Sequence, residues 1–333
     1  MANKINTAVY SNTSEGYYQL SDIIKEVLSK EILRTALPET VFLQAATHKT
    51  DLNTERGLKI EFIKFGALEK GGTLTENIPI PTKNLSTSTI EISVGERGNA
   101  VAVSNLLVQA GKVDVLFEAA LALGEDAGLV LDSEVRDAFY NTTNIMYGGG
   151  KSAIASMSST NALLTYQMLD MMMEKASLLH SRPFVAPNGE RYFVLFIHPR
   201  HFTQLKRQVT DNMERFNRLT YVKDYPAGRP IWRGEVAQVD NIKLVQTPLV
   251  KQGIDSNDVW AYDAALAATR ALTCIFAGYN GVGYAERQPL SFRENGIEDF
   301  GRILKVAWYS IWGAGIVNEE SVIKVYTSSN ETA

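Results

Sequence analysis

An α+β fold is what this sequence predicts, and three observations carry the prediction. Two stretches between Leu58 and Ser104 alternate apolar and polar residues on either side of a long polar loop. A proline-free run from Val113 to Asn141, rich in Ala, Leu and Val, has the length and composition of one helix. Beyond it, short apolar runs with strand character are interspersed with helical ones, the pattern of sheets covered by helices.

Residues 1–20 are polar and without period, as in a loosely ordered arm. Ser21 is placed to cap a helix in which Ile24, Val27, Leu28 and Ile32 recur at helical spacing and which ends before Pro38. The hairpin comes next. Its first arm, Leu58–Phe65, alternates with one slip at Ile63; its second is Thr89–Val94 continued by Asn99–Ser104. The loop between them, Gly71–Asn84, holds two glycines and two prolines and is far longer than a tight turn needs. At about 3.3 Å per residue an eleven-residue arm reaches roughly 36 Å, and a lone two-stranded ribbon is only marginally stable in water. Something else must hold it, and a neighbouring copy of the chain is the candidate.

The long helix carries Glu118, Glu125 and Asp132 at seven-residue spacing, which predicts one wet stripe on an otherwise packed surface. Tyr147–Ser159 reads as a flexible connector, and Asn161 opens a helix running through His180. Pro187-Asn-Gly189 turns into an apolar strand, Tyr192–Ile197, followed by a helix from Arg200. Trp232–Val245 reads as two short strands around Asp240-Asn241. Ile303–Trp312 and Ile316–Tyr326 read as two more, joined near Gly313 and Gly315.

Composition narrows the function. The chain has 333 residues, 45% hydrophobic and 21% charged, so a sizeable core is available. A formal net charge of −4 argues against a protein whose main work is coating nucleic-acid phosphates. The one cysteine, Cys274, lies in an apolar run and reads as a small buried hydrophobe. No stretch approaches the roughly 20 apolar residues of a membrane span and no signal peptide is visible, so the chain is read as cytosolic when made, with no membrane partner.

Motifs for chemistry are thin. Gly148-Gly-Gly-Lys-Ser152 lacks the first glycine and the preceding strand of a phosphate loop, and Gly278-Tyr-Asn-Gly-Val-Gly283 has its glycines in the wrong order for a dinucleotide site. His198 and His201 flank Pro199 without a third metal ligand nearby and read as structural. Met168, Met171, Met172 and Met173 read as core filling, and Gly124 and Gly128 as internal close packing. Lys206–Arg233 interleaves basic residues with aromatic ones in the manner of a single-strand nucleic-acid platform, diluted by Asp211, Glu214 and Asp224. No catalytic, cofactor or metal residue is expected, and hence no enzyme activity.

The order of these elements resembles the tailed-phage major capsid protein, the fold first described for phage Hong Kong 97. Local phrases are similar to the N-four-like branch: Leu37–Ala46, Gly72–Glu76, Ile90–Ser104, Trp232–Val236, Val239–Val245 and Phe300-Gly-Arg302 leading into Trp308. The resemblance implies an N-terminal arm with its helix (1–57), an extended hairpin loop lying across an adjacent subunit (58–104), a spine helix and peripheral domain (105–160), an axial domain (161–285) and returning peripheral strands (286–333). It implies a shell of pentamers and hexamers, in the virion and in host cytoplasm during assembly, enclosing double-stranded DNA. Portal and decoration proteins, and a separate scaffolding protein, are the further partners implied. Assembly contacts are then expected at Ile24, Leu28, Phe62, Phe65, Leu74, Ile78, Ile80, Ile90 and Ile92, and an axial contact loop at Arg218, Tyr221, Tyr225 and Trp232. Self-crosslinking members use Lys and Asn with a Glu; Lys64 and Lys70 stand in the hairpin without a matching triad in the sequence. A bacterial nanocompartment shell shares the fold and is the first rival; a nucleic-acid-binding α/β protein is the second.

Overall fold

The computed structural model describes residues 10–12, 18–20, 22–50, 57–66, 70–73, 76, 79–80, 82, 84–104, 106–107, 114–153, 156–157, 162–211, 219–222, 230–251, 271–298 and 302–328. Strands β1 (Tyr10–Asn12) and β2 (Tyr18–Leu20) pair antiparallel ahead of helix α1 (Asp22–Glu39). Leu28, Ile32 and Ala36, four residues apart, make the buried face of α1, while Val27 is exposed. The helical backbone persists through Glu39, past the expected stop at Pro38. Ser21 lies outside the described residues. After a 3₁₀ turn (Phe42–Ala45) come β3 (Thr47–Lys49), β4 (Lys59–Phe65), β5 (Thr87–Ser93) and β6 (Gly95–Ser104).

Helix α2 (Val115–Tyr140) matches the expected spine. Asp114 caps it, its side chain accepting from the Phe117 N–H at 3.3 Å. Its Ala and Gly positions let α1 lie close: a Cβ at Gly124 would meet the Thr35 Cβ at 2.8 Å and the Ile32 carbonyl oxygen at 2.9 Å. The glycine therefore serves internal packing.

The remaining elements are β7 (Ile145–Tyr147), α3 (Tyr166–Leu178), β8 (Phe184–Val185), β9 (Arg191–Ile197), α4 (Pro199–Asp211), β10 (Leu219–Tyr221), β11 (Glu235–Val239), β12 (Ile242–Gln246), β13 (Ala271–Ala277), β14 (Val282–Glu298), β15 (Ile303–Ile316) and β16 (Val322–Ser328). Helix α3 starts at Tyr166 behind its Thr165 cap, later than the expected Asn161. An eight-stranded mixed sheet runs β10-β11-β12-β9-β13-β16-β7, with β8 on β9. Alternate residues of β9 serve two cores: Phe193, Leu195 and Ile197 pack with Leu169, Met172 and Leu205 of α3 and α4, while Val194 and Phe196 pack with Phe42 and Phe139. Met168 and Met172 are buried here, as core filling requires.

The second sheet has the order β3-β14-β15-β6. Two expectations change. Gly313 and Gly315 lie inside β15 rather than joining two strands, and the chain turns later, through Glu319–Ser321, into β16. That last strand pairs with β13 in the larger sheet. Residues 95–104 do not extend the hairpin; they form β6, antiparallel to β15. Helix α2 lies over this sheet, where stacked Trp308 and Trp312 donate their indole N–H groups to Asp126 (2.8 Å) and Glu134 (2.6 Å).

The expected acidic stripe is wet at Glu118 and Glu125 only. Asp132 is fully buried, its Oδ1 accepting from the backbone N–H groups of Val41 (2.8 Å), Phe42 (2.7 Å) and Leu43 (3.1 Å). Burial raises its carboxyl to about 6 in spite of those bonds.

Candidate assembly interface

The hairpin proper is β4 against β5, in register from Lys59 opposite Ser93 to Phe65 opposite Thr87. Strand alternation sends its residues to two faces with different fates. On the inner face Ile60, Phe62 and Ile92, with Val94 just beyond, are buried against Ala285, Ile311 and Val317 of the same chain. Three glycines make this seat. A Cβ on Gly283 would meet the Phe62 ring at 2.7 Å, one on Gly315 would press on Ile92, and one on Gly313 would collide with the Ser93 carbonyl oxygen. Lys49 lies over the Phe62 ring (5.1 Å) and donates to the Glu61 carbonyl oxygen (2.9 Å). Farther out, Lys64 Nζ donates to Asn318 Oδ1 at 2.8 Å and reaches Glu320 Oε1 at 3.4 Å. The sequence did not pair these three residues, because some 250 positions separate them.

The outer face is Lys59, Glu61, Ile63 and Phe65 beside Thr87, Thr89, Glu91 and Ser93. Ile63 is 59% exposed, Phe65 62%, and Ile80 in the loop 67%. Glu61 stands directly opposite Glu91, which Lys59 neutralises at 2.5 Å. Between the outer half of the ribbon and the turns at Leu179–Arg182, Tyr279-Asn280 and Val317–Glu320 lies a groove of about 790 Å³.

Several expected contact residues are therefore reassigned. Leu28, Phe62 and Ile92 are core side chains of their own chain, and Ile90 is half-buried. The base of the ribbon rests on its own body. Phe65 and Ile80 remain free on the surface. Trp232 is buried, donating its indole N–H to Tyr192 Oη at 3.1 Å, so it is no stacking platform for bases. Tyr221 turns its ring edge-on to Phe202. The Ile24 side chain, Leu74, Ile78, Arg218 and Tyr225 lie outside the described residues.

The titratable clusters elsewhere are structural. His201 Nε2 lies 2.7 Å from Thr327 Oγ1 and Nδ1 lies 3.3 Å from Cys274 Sγ; burial pushes the imidazole down to about 3 and the thiol up to about 12, so both are neutral and inert. Lys243 and Glu235 form a buried pair at 3.1 Å, with the other Glu235 oxygen accepting from the Ile231 (2.8 Å) and Trp232 (3.0 Å) N–H groups.

The outer face of the seated ribbon thus leaves Ile63 and Phe65 exposed, apolar surface suited to association. The family profile described as phage capsid protein matches residues 87–325. The chain belongs to the phage capsid protein family. Three solved shells share the fold of this capsid protein: the capsid of Ralstonia phage GP4 (TM-score 0.70, 15% identity, 89% of this chain and 93% of that one), the capsid of cyanophage Pam1 (0.62, 18%, 86% and 89%) and the head of Helicobacter pylori bacteriophage KHP40 (0.61, 11%, 87% and 91%). No curated protein matches by sequence. The Hong Kong 97-type α+β architecture is thus the fold of this capsid protein, and its role is that of a major capsid protein, a structural subunit of the head shell.

Proposed function

We propose that this capsid protein builds the head of a tailed double-stranded DNA phage by laying the outer face of its hairpin on an adjacent subunit, within pentamers and hexamers. The observation that carries this is the division of the ribbon: one face seated, the other leaving Ile63 and Phe65 in water. Extended elements reach the 2,000 Å² or more typical of obligate interfaces without a large domain, and many modest contacts around a shell become collectively persistent. The role is structural, without catalysis, cofactor or membrane. A portal, a scaffolding protein, decoration proteins and enclosed DNA are the partners this reading expects, with assembly in host cytoplasm before the subunit resides in the virion.

Replacing Ile63 and Phe65 together by Asp tests it. The variant is expected to stay folded by circular dichroism while shells vanish from negative-stain micrographs and size-exclusion profiles; shells at wild-type yield would overturn the reading. Nucleic acid inside shells recovered from infected cells separates a phage head from a nanocompartment. Lys64, Asn318 and Glu320, the residue types of the self-crosslinking members, meet here within one chain, and an intrachain amide in which the Lys amine displaces ammonia from the Asn carboxamide is a second reading, seen as a loss of about 17 Da. Intact-mass measurement of mature shells tests that; an unchanged mass would dismiss it.

A further inference from the structure

The groove beside the ribbon has a wall of open backbone. In the β4–β5 ladder the even-numbered residues of β4 bond across to β5, as the bonds flanking it show: the Val94 N–H donates to the Leu58 carbonyl oxygen (2.9 Å) and the Gly66 N–H to that of Ser86 (2.8 Å). Odd-numbered residues therefore turn their backbone groups to the other edge of β4. Glu61 does so visibly, its carbonyl oxygen taken by Lys49 Nζ at 2.9 Å. Farther out, Ile63 and Phe65 present two N–H and two C=O groups that take no partner among the described residues. The groove of about 790 Å³ runs along this edge, lined by residues 63–66 and by none of β5. Open strand edges are normally blunted or covered. Lys49 blunts the inner end of this one, and nothing among the described residues blunts the outer.

The opposite wall is polar and strained. Three non-glycine residues among the described ones have left-handed backbone, and two of them, His180 (φ 54°) and Asn280 (φ 58°), line this groove. His180 stands just past the end of α3, where the Ser181 N–H closes back on the Ala176 carbonyl oxygen at 2.9 Å and glycine is the residue of least strain. At both positions the chain keeps a polar side chain at that cost. Two residues on is Arg182, exposed, whose guanidinium meets no carboxylate among the described residues. The acid of the groove, Glu320, is reached by Lys64 at 3.4 Å, so the cation at Arg182 is unmatched. Tyr279 adds a half-exposed ring.

We propose that this groove takes an extended acidic segment of a different protein as a third strand of the ribbon, paired through Ile63 and Phe65, with a carboxylate on Arg182 and apolar side chains against Phe65 and Tyr279. The row of backbone groups calls for an extended chain, and the unmatched guanidinium for an acid. A second copy docking by the same edge would set Arg182 against its own counterpart, so the charge selects another chain. Strand addition at the edge leaves the outer face of the ribbon for an adjacent subunit and does not depend on that contact.

A fluorescent peptide, Glu-Val-Glu-Val-Glu-Val, and its Lys-Val-Lys-Val-Lys-Val counterpart test this by anisotropy against the full-length protein, both as unassembled subunits and as shells. The acidic peptide is expected to bind both forms saturably, roughly tenfold or more tighter than the basic one, and to lose about tenfold on Arg182→Glu. That substitution leaves in place the Arg182 carbonyl oxygen, which accepts from the Tyr279 N–H at 2.7 Å. Methylating alternate backbone nitrogens of the peptide is expected to abolish binding in one of the two alternating patterns and to spare it in the other, because a strand on an edge pairs along one side. Binding indifferent to peptide charge, to Arg182→Glu or to both methylation patterns, or no binding, would overturn the proposal. So would binding to unassembled subunits that shells lose, since a second copy then holds the groove. If Arg182→Glu does not fold, the methylated peptides on the wild-type protein decide.

Discussion

Asp132 holds three consecutive backbone N–H groups with one carboxylate oxygen while its other oxygen is buried without a partner. Desolvation outweighs those bonds, so the folded chain binds a proton there more tightly than the unfolded chain does. The stabilisation that follows is fully present below the unfolded value of 3.8 and is lost as pH rises towards 6, an amount on the order of 3 kcal/mol. Denaturant titrations are expected to show the difference in stability between wild type and Asp132→Asn changing between pH 4 and 6 and level above; a difference independent of pH would refute the assignment. Glu235→Gln removes the carboxylate that faces buried Lys243, leaving it the Gln238 oxygen at 3.0 Å, and is expected to cost about 3 kcal/mol in the same measurement, whereas a loss under about 1 kcal/mol would mean the ion pair is not structural. None of this was legible locally. Seven-residue spacing says that Glu118, Glu125 and Asp132 share a stripe, but only the connector at Val41–Leu43 decides which of them is covered. Trp232 likewise has the composition of a stacking residue until the Tyr192 hydroxyl and the Phe184 ring enclose it.

Among the elements, α2, the β4 and β5 arms, β9 with its following helix, and the β11–β12 pair follow from period, length and turn residues. The partner of β6 does not, because strand alternation fixes faces and leaves the choice of neighbour to residues 200 positions away. The glycines of β15 were misleading for a physical reason: Gly is commonest in turns, yet here it is kept small so that a second strand can cross over it. Gly313→Ala brings a methyl group onto the Ser93 carbonyl oxygen and is expected to unseat the ribbon, lowering stability by about 1–3 kcal/mol. Limited proteolysis reads it directly, through faster cleavage within residues 66–86; an unchanged cleavage rate would show that the ribbon does not depend on this crossing.

For the whole molecule, the α+β class and the shell-forming role were within reach of the sequence, and the order of elements carried them. The sheet order was not, since β9 pairs in parallel with β12 and antiparallel with β13, arrangements that no local pattern distinguishes. Of the expected contact residues Phe65 and Ile80 lie open, whereas Leu28 on α1 and Phe62 and Ile92 on the inner face of the ribbon are spent on the interior, a division that alternation alone does not assign. The stacked indoles of Trp308 and Trp312, tethered to carboxylates two turns apart on α2, give the subunit a label-free optical gauge. A bend in that helix would alter their near-ultraviolet dichroism and emission, so the protein's own chromophores would report strain on its longest helix.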